Sequence, residues 1–304
     1  MRIVSLLPSV TEILFGIGAG PEVVGVTHEC DFPPEALTLP RLTASAIPAS
    51  SSPLEIDRHV RAGLHSGSSL YSLDDVALAR LEPDLIVTQE LCDVCSVSYE
   101  QVATAVRRLR GDPRVVSLEP SSLDEVLGTI TTLGEMTHHE LGAAALIESL
   151  QSRIDALRVS NQVITSHMVR RVLLLEWTDP PMSAGHWIPE LVELAGAEPV
   201  LANPLRNSRR LQWDEIAATD PDAMVVAPCG FGIQQTREAI AMLDDHATWR
   251  GLRAVREGRV FAMDGNAYAS RPGPRLVDTA EIMTRWIRQL EPNAATLPRD
   301  AEHR

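Results

Sequence analysis

The chain has 304 residues, 44% of them hydrophobic and 22% charged, and a net charge of −14. That composition suits one or two globular domains with a large core. It excludes the basic face that nucleic acid or an anionic membrane surface requires, and no apolar run nears the roughly 20 residues of a membrane span.

All 27 basic residues are arginine. Without lysine there is no Schiff-base catalysis, no lysine-held pyridoxal phosphate and no Walker-type phosphate loop. At the N-terminus, Arg2-Ile3-Val4-Ser5-Leu6-Leu7-Pro8 is broken by Ser5 and stopped by Pro8, with no small-residue cleavage site after it. It reads as a first strand, not as a secretory signal. A cytoplasmic location is therefore expected, periplasmic or lipid-anchored only if a leader was removed before residue 1. The four cysteines are then expected to be reduced.

In chain order, short apolar runs at 2–7, 23–26, 85–88 and 115–118 read as strands, followed by a second set at 169–175, 224–227 and 260–263. Helical patterns fall at 11–17, 56–64, 74–81, 97–110, 187–195, 213–218 and 275–290. Buried strands alternating with helices predict α/β architecture with parallel sheets. The expected layout is an N-terminal lobe over 1–120, a linking helical segment over 121–162, a C-terminal lobe over 163–290 and a tail over 291–304. In the linking segment, Ser122 with Glu125 and Thr137 with Glu140 have capping-box spacing, and a helix from 138 to about 159 contains Gly142 as its only glycine.

The lobes echo each other. Asp74-Asp75-Val76-Ala77 leads to Pro83-Asp84 and Leu85-Ile86-Val87, while Asp214-Glu215-Ile216-Ala217 leads to Pro221-Asp222 and Met224-Val225-Val226. Each reads as a helix ending at a Pro-Asp turn that feeds a buried strand.

Ligands of open parallel sheets bind beyond the carboxyl ends of the strands. The residues placed there are Pro8, Ser9 and Val10; His28, Glu29 and Cys30; Glu90, Cys92 and Cys95; Trp177, His186 and Trp187; Cys229 and Phe231; and Tyr268 and Arg271. All four cysteines fall in this set. His28, Cys30, Cys92 and Cys95 are four ligand types that zinc or another transition metal accepts. Three readings stay open: a metal site, a redox pair at Cys92/Cys95, or small thiols packed in the core. Trp177, His186 and Trp187 have the faces to stack on a flat ligand.

The run Ile3-Val4-Ser5-Leu6-Leu7-Pro8-Ser9-Val10-Thr11-Glu12 resembles the first strand and helix of the helical-backbone (class III) substrate-binding proteins of metal-chelate ABC importers. Gly25-Val26-Thr27-His28-Glu29-Cys30-Asp31-Phe32-Pro33-Pro34, Leu81 to Val87, Asp179 to Gly185 and Ser270 to Leu276 are similar to later segments of its vitamin B12-binding branch. His28 to Asp31 and Leu91 to Cys95 resemble a cytosolic cobalamin-binding subgroup. The resemblance implies two doubly wound α/β lobes joined by a long backbone helix, and non-catalytic binding of a corrinoid such as cobalamin in the cleft between them. The segment 46–70 is an insertion relative to that pattern.

Importer-linked members present a glutamate on each lobe to the permease. Asp74 and Asp214 stand at the matching positions with a shorter reach. With no leader visible, docking to a permease is not expected, and neither are nucleic acid or membrane insertion. Two alternatives to the corrinoid binder stay open: a metal or metal-chelate protein with a Cys/His site, and a thiol-dependent enzyme acting on a cofactor.

Overall fold

The structure is a computed structural model that describes residues 1–48, 50–66, 70–89, 102, 105–106, 112–162 and 169–290. Two compact units emerge. The first is Met1–Gln151 with Arg271–Pro274; the second is Ser152–Ser270 with the chain from Arg275 on.

The first unit contains β1 (Ile3–Ser5), α1 (Pro8–Gly16), β2 (Val23–Val26), β3 (Thr43–Ser45), α2 (Pro53–Ser66), β4 (Tyr71–Leu73), α3 (Asp75–Leu81), β5 (Leu85–Thr88), β6 (Arg114–Ser117), α4 (Leu123–Thr137) and the start of α5 (Glu140–Gln162). Four strands form a parallel sheet in the order β2-β1-β5-β6, and β3 pairs antiparallel with β4. Pro8 opens α1, where its missing N–H costs no helical bond and its fixed φ suits the first turn. β1 is wholly buried, and Val4 and Leu6 pack with Leu42, Leu78 and Ile86.

The segment after β6 departs from expectation. The Ser122 hydroxyl caps α4 by accepting from the Glu125 N–H at 3.1 Å, but the Glu125 carboxylate reaches back to the Ser121 N–H, at 2.6 Å. Thr137 is not an N-cap. It ends α4, donating its hydroxyl to the Leu133 carbonyl at 2.7 Å, and His138 then turns left-handed at φ 59°. That turn divides the helical stretch in two. α5 follows over 23 residues, about 34 Å at 1.5 Å per residue. Its glycine has a steric reason: a Cβ on Gly142 would lie 2.0 Å from the Ile17 carbonyl oxygen. The boundary between the units falls inside α5.

The second unit contains β7 (Arg170–Thr178), β8 (Pro181–Ser183), β9 (Gly185–His186), α6 (Ile188–Leu194), β10 (Ala197–Pro199), β11 (Asn203–Pro204), α7 (Trp213–Thr219), β12 (Ala223–Val226), α8 (Ile233–Leu243), α9 (Ala247–Gly251), α10 (Arg253–Arg256), β13 (Val260–Ala262) and α11 (Leu276–Gln289). Its parallel sheet runs β10-β7-β12-β13, with β8 antiparallel on β7. Leu173, Leu175, Met224, Val226 and Trp249 centre its core.

Both parallel sheets have the order second-first-third-fourth, and their echo extends to single atoms. α3 ends at Glu82 and α7 at Asp220, both left-handed, with φ 40° and 44°. A Pro-Asp pair follows each. The Asp84 carboxylate accepts from the Arg2 N–H at 2.7 Å, and the Asp222 carboxylate from the Arg171 N–H at 2.9 Å. Asp84 and Asp222 in turn donate their own N–H to the carbonyls of Arg2 and Arg171, each at 2.8 Å. The two arginines close the turn from the other side, with Arg2 Nε on the Leu81 carbonyl and an Arg171 guanidinium N–H on that of Thr219, at 2.6 and 2.7 Å.

Burial would raise the Asp222 carboxyl, but the Arg171 N–H and the Arg253 guanidinium outweigh it and hold the pKa below its ordinary value. A depressed acid stabilises the fold above its unfolded pKa of about 4, and that contribution is lost as pH falls through the folded value. Asp222→Ala is expected to cost about 1–3 kcal/mol in urea unfolding at pH 7, more than Asp84→Ala at its exposed site. Asp222→Asn should flatten the loss of stability below pH about 4.

Candidate functional site

In a parallel sheet all strands end at one edge, and loops on either side of the switch in strand order diverge there. In the first unit that edge carries the start of α1 and the loop after β2. Ser9 and Val10 are buried, and Pro8 is half-buried. The loop 27–31 is held from below by the segment leading into β3. The Arg41 guanidinium donates to the carbonyls of Thr27 and Cys30, the former at 2.8 Å. Thr43 Oγ1 lies 2.8 Å from Thr27 Oγ1, 2.7 Å from His28 Nδ1 and 3.0 Å from the His28 N–H. The His28 ring tilts against Tyr71 at 5.6 Å, and its Nε2 is 3.9 Å from Glu29 Oε1. Burial and the Arg41 charge lower the His28 pKa, so the imidazole is neutral at pH 7. Burial raises Glu29, although Arg271 opposes the rise.

Cys30 faces another way. Its side chain is fully buried, with Sγ 3.1 Å from the Thr11 hydroxyl. Burial pushes the thiol up to about 11 against the pull of that hydrogen bond, so it is protonated at neutral pH. Both metal binding and nucleophilic attack require the thiolate. Arg271 is also internal. It is 5% exposed, donates to Glu12 at 3.2 Å and Asp31 at 2.6 Å, and reaches the Glu29 carbonyl at 3.0 Å. The fragment Arg271–Pro274 is thereby tied into the first unit.

At the corresponding edge of the second unit, three loops are stitched together by backbone bonds. The Cys229 N–H donates to the Glu176 carbonyl at 3.2 Å, and the Asn266 N–H to the Phe231 carbonyl at 3.0 Å. Gly265 passes so close that a Cβ would lie 2.1 Å from the Pro228 carbonyl oxygen. On this frame the Trp177 and Phe231 rings meet at 5.2 Å and 60°. Trp177 is half-buried and its indole N–H donates to the Asp179 carbonyl at 3.1 Å. Cys229 is partly exposed beside them.

Tyr268 lies under the Arg275 guanidinium at 5.7 Å. Trp187 is 8% exposed, donates its indole N–H to the Ala269 carbonyl at 3.0 Å and stacks on His186 at 5.5 Å. It is a packing residue, in place of the open face expected. His186 is fixed by Asn207 Oδ1 at 3.0 Å, and burial lowers its pKa.

The sequence reading missed Glu176 as a site residue. Its carboxylate accepts from the Gly185 N–H at 2.6 Å and from the Ser208 hydroxyl, anchoring two loops at once, and burial raises its pKa. The visible signal was one acid inside the apolar run of β7. Thr43 and Arg41 carried no such signal. Glu90, Cys92 and Cys95 lie outside the described residues. Among the described residues no group of three or more His, Cys, Asp or Glu side chains is arranged to hold a metal.

Asp74 and Asp214 are both exposed at the starts of α3 and α7, and the Asp74 carboxylate caps α3 by accepting from the Ala77 N–H at 2.8 Å. No described helix is long and apolar enough to cross a membrane.

A family model described as "Periplasmic binding protein" matches residues 3–267. The chain belongs to the periplasmic binding protein family. Relatives in that family include the uncharacterised ABC transporter substrate-binding lipoprotein YvrC of Bacillus subtilis, 24% identical over 94% of this chain and 79% of its own length. The vitamin B12-binding protein of Vibrio cholerae is 22% identical over 94% of this chain and 89% of its own. Among solved structures, a periplasmic haem-binding protein from Pseudomonas aeruginosa superposes with a TM-score of 0.74 at 20% identity, covering 98% of this chain and 95% of that one. The chain thus has the α/β fold that the motifs implied.

Thiol labelling checks the contrast between the cysteines. In a Cys92→Ser/Cys95→Ser background at pH 8, Cys229 should react within minutes. Cys30 should react only when the protein unfolds.

Proposed function

We propose that this protein binds a corrinoid without transforming it. The observation that carries the reading is the Trp177–Phe231 pair at the carboxyl edge of the second unit, held by backbone bonds on a rigid frame beside Cys229. Trp177, half-buried and backed by the buried Phe231, offers one pre-set aromatic face to a large flat macrocycle, so little order has to be created on binding. The family supports the class of cargo, since relatives include vitamin B12-binding and haem-binding proteins. The protonated Cys30 thiol argues against an enzyme that uses Cys30 as its nucleophile. Haem is the second reading, favoured by the same aromatic surface and by the haem-binding neighbour.

Calorimetric titration with cobalamin, cobinamide and haemin separates them. Corrinoid binding with a dissociation constant of about 1 nM to 1 μM corresponds to about 8–12 kcal/mol. Trp177→Ala is expected to weaken it about 5- to 50-fold, from the loss of stacking and buried area. Tight haemin binding without corrinoid binding would establish the second reading. No binding of any of the three would overturn both.

A further inference from the structure

One stretch of the second unit reverses the charge of the chain. Between Glu198 and Asp214 there is no acid, while Arg206, Arg209 and Arg210 all fall there, in a protein of net charge −14. The Arg209 guanidinium serves the fold, donating to both carboxylate oxygens of Glu215 at 3.2 and 2.5 Å. Arg206 and Arg210 are exposed.

Strand register places Arg210 relative to the aromatic pair. Trp177 on β7 stands opposite Met182 on β8, with Glu176 as the extra residue of the irregularity between Leu175 and Trp177. Met182 in turn stands opposite Arg210, also antiparallel. The Ser183 N–H donates to the Arg209 carbonyl at 2.9 Å and the Leu211 N–H to the Pro181 carbonyl at 2.8 Å. These bonds flank Met182 and Arg210, which are therefore a non-hydrogen-bonded pair, the kind whose side chains stand closest. Directly opposed residues project from the same face of a sheet. Trp177, Met182 and Arg210 thus share one face, two strand spacings across, or about 10 Å from the first backbone to the last. Burial agrees: Trp177 and Met182 are half-buried and Arg210 is exposed, while Thr178, Pro181, Ser183 and Leu211 beside them are buried.

We propose that Arg210 is a specificity residue that binds an anionic group on the rim of the macrocycle stacked on Trp177. The proposal rests on the corrinoid reading and names the feature of the corrinoid that is recognised. A ligand lying on Trp177 extends over the Met182 thioether towards a guanidinium, whose planar fork matches the oxygens of a phosphate or carboxylate. The ring amides of a corrinoid are neutral, whereas the phosphodiester that joins the ring to its nucleotide carries a fixed negative charge. The acid-free stretch around Arg210 offsets the repulsion that such an anion meets from the rest of this chain. Haem presents the same chemistry through its carboxylates.

The test is calorimetric titration of the full chain with cobalamin, which has the phosphodiester, and with cobinamide, which lacks it. The unmodified protein should favour cobalamin. In Arg210→Gln the ratio of the two affinities should fall about 3- to 30-fold. Trp177→Ala should weaken both ligands and leave their ratio unchanged. Arg158→Gln, which removes the same charge from an exposed site on α5, should not alter the ratio.

Equal affinity of the unmodified protein for the two corrinoids, or an unchanged ratio in Arg210→Gln, would overturn the role of Arg210 and leave the corrinoid reading intact. If haemin binds and the corrinoids do not, Arg210→Gln should weaken haemin but not its dimethyl ester; equal effects on both would overturn the proposal. No binding of cobalamin, cobinamide or haemin would overturn both the proposal and the reading beneath it.

Discussion

Each unit depends on the same small clamp: a left-handed residue, a proline and an aspartate, closed onto the backbone of the sheet's first strand or the residue that leads into it. Glu82-Pro83-Asp84 grips Arg2, and Asp220-Pro221-Asp222 grips Arg171. The left-handed turn ends the helix, the proline prevents it from continuing, and the aspartate pairs with both backbone groups of one residue. A third strand anchored at its start to the first strand can only run parallel to it. Helix, turn and two neighbouring strands are thereby fixed together, and the carboxyl ends of the central strands finish at one edge.

What gathers at that edge is then a matter of loop chemistry. In the second unit, backbone bonds from Cys229 to Glu176 and from Asn266 to Phe231, with Gly265 pressed against Pro228, make three loops behave as one surface. Glu176 ties in two more through Gly185 and Ser208. Placing a carboxylate in so enclosed a position is costly unless its oxygens are paired, and here both are. In the first unit Arg271 is the corresponding anchor, with its charge met by Glu12 and Asp31. Such prior pairing leaves the aromatic and imidazole groups held in place before any ligand arrives.

Much of this was legible in the residues. The strands announced themselves as apolar runs, and the Pro-Asp echo was visible as order and spacing before any contact was known. The roles of polar side chains were harder to read. Cys30 and His28 were grouped as candidate ligands of one metal, yet one turns inward to Thr11 and the other to Thr43. Neighbours in a loop share no face, so spacing could not decide this. Arg271 looked like a ligand contact because it follows a strand end, but its partners come from about 240 to 260 positions away in the chain. A helix start near 138 was legible in the Thr137 and Glu140 spacing, but its form was not: the break is a left-handed turn at His138 and not an N-cap at Thr137.

The central claim is that the strand ends of the second sheet carry a ligand surface. Hydrogen exchange followed by mass spectrometry, with and without saturating cobalamin, tests it most directly. The account predicts slowed exchange in peptides spanning 176–178, 228–231 and 265–269, with the clamps at 82–85 and 220–223 equally protected in both states. Protection confined to other surfaces, with those three segments unchanged under saturation, would contradict it.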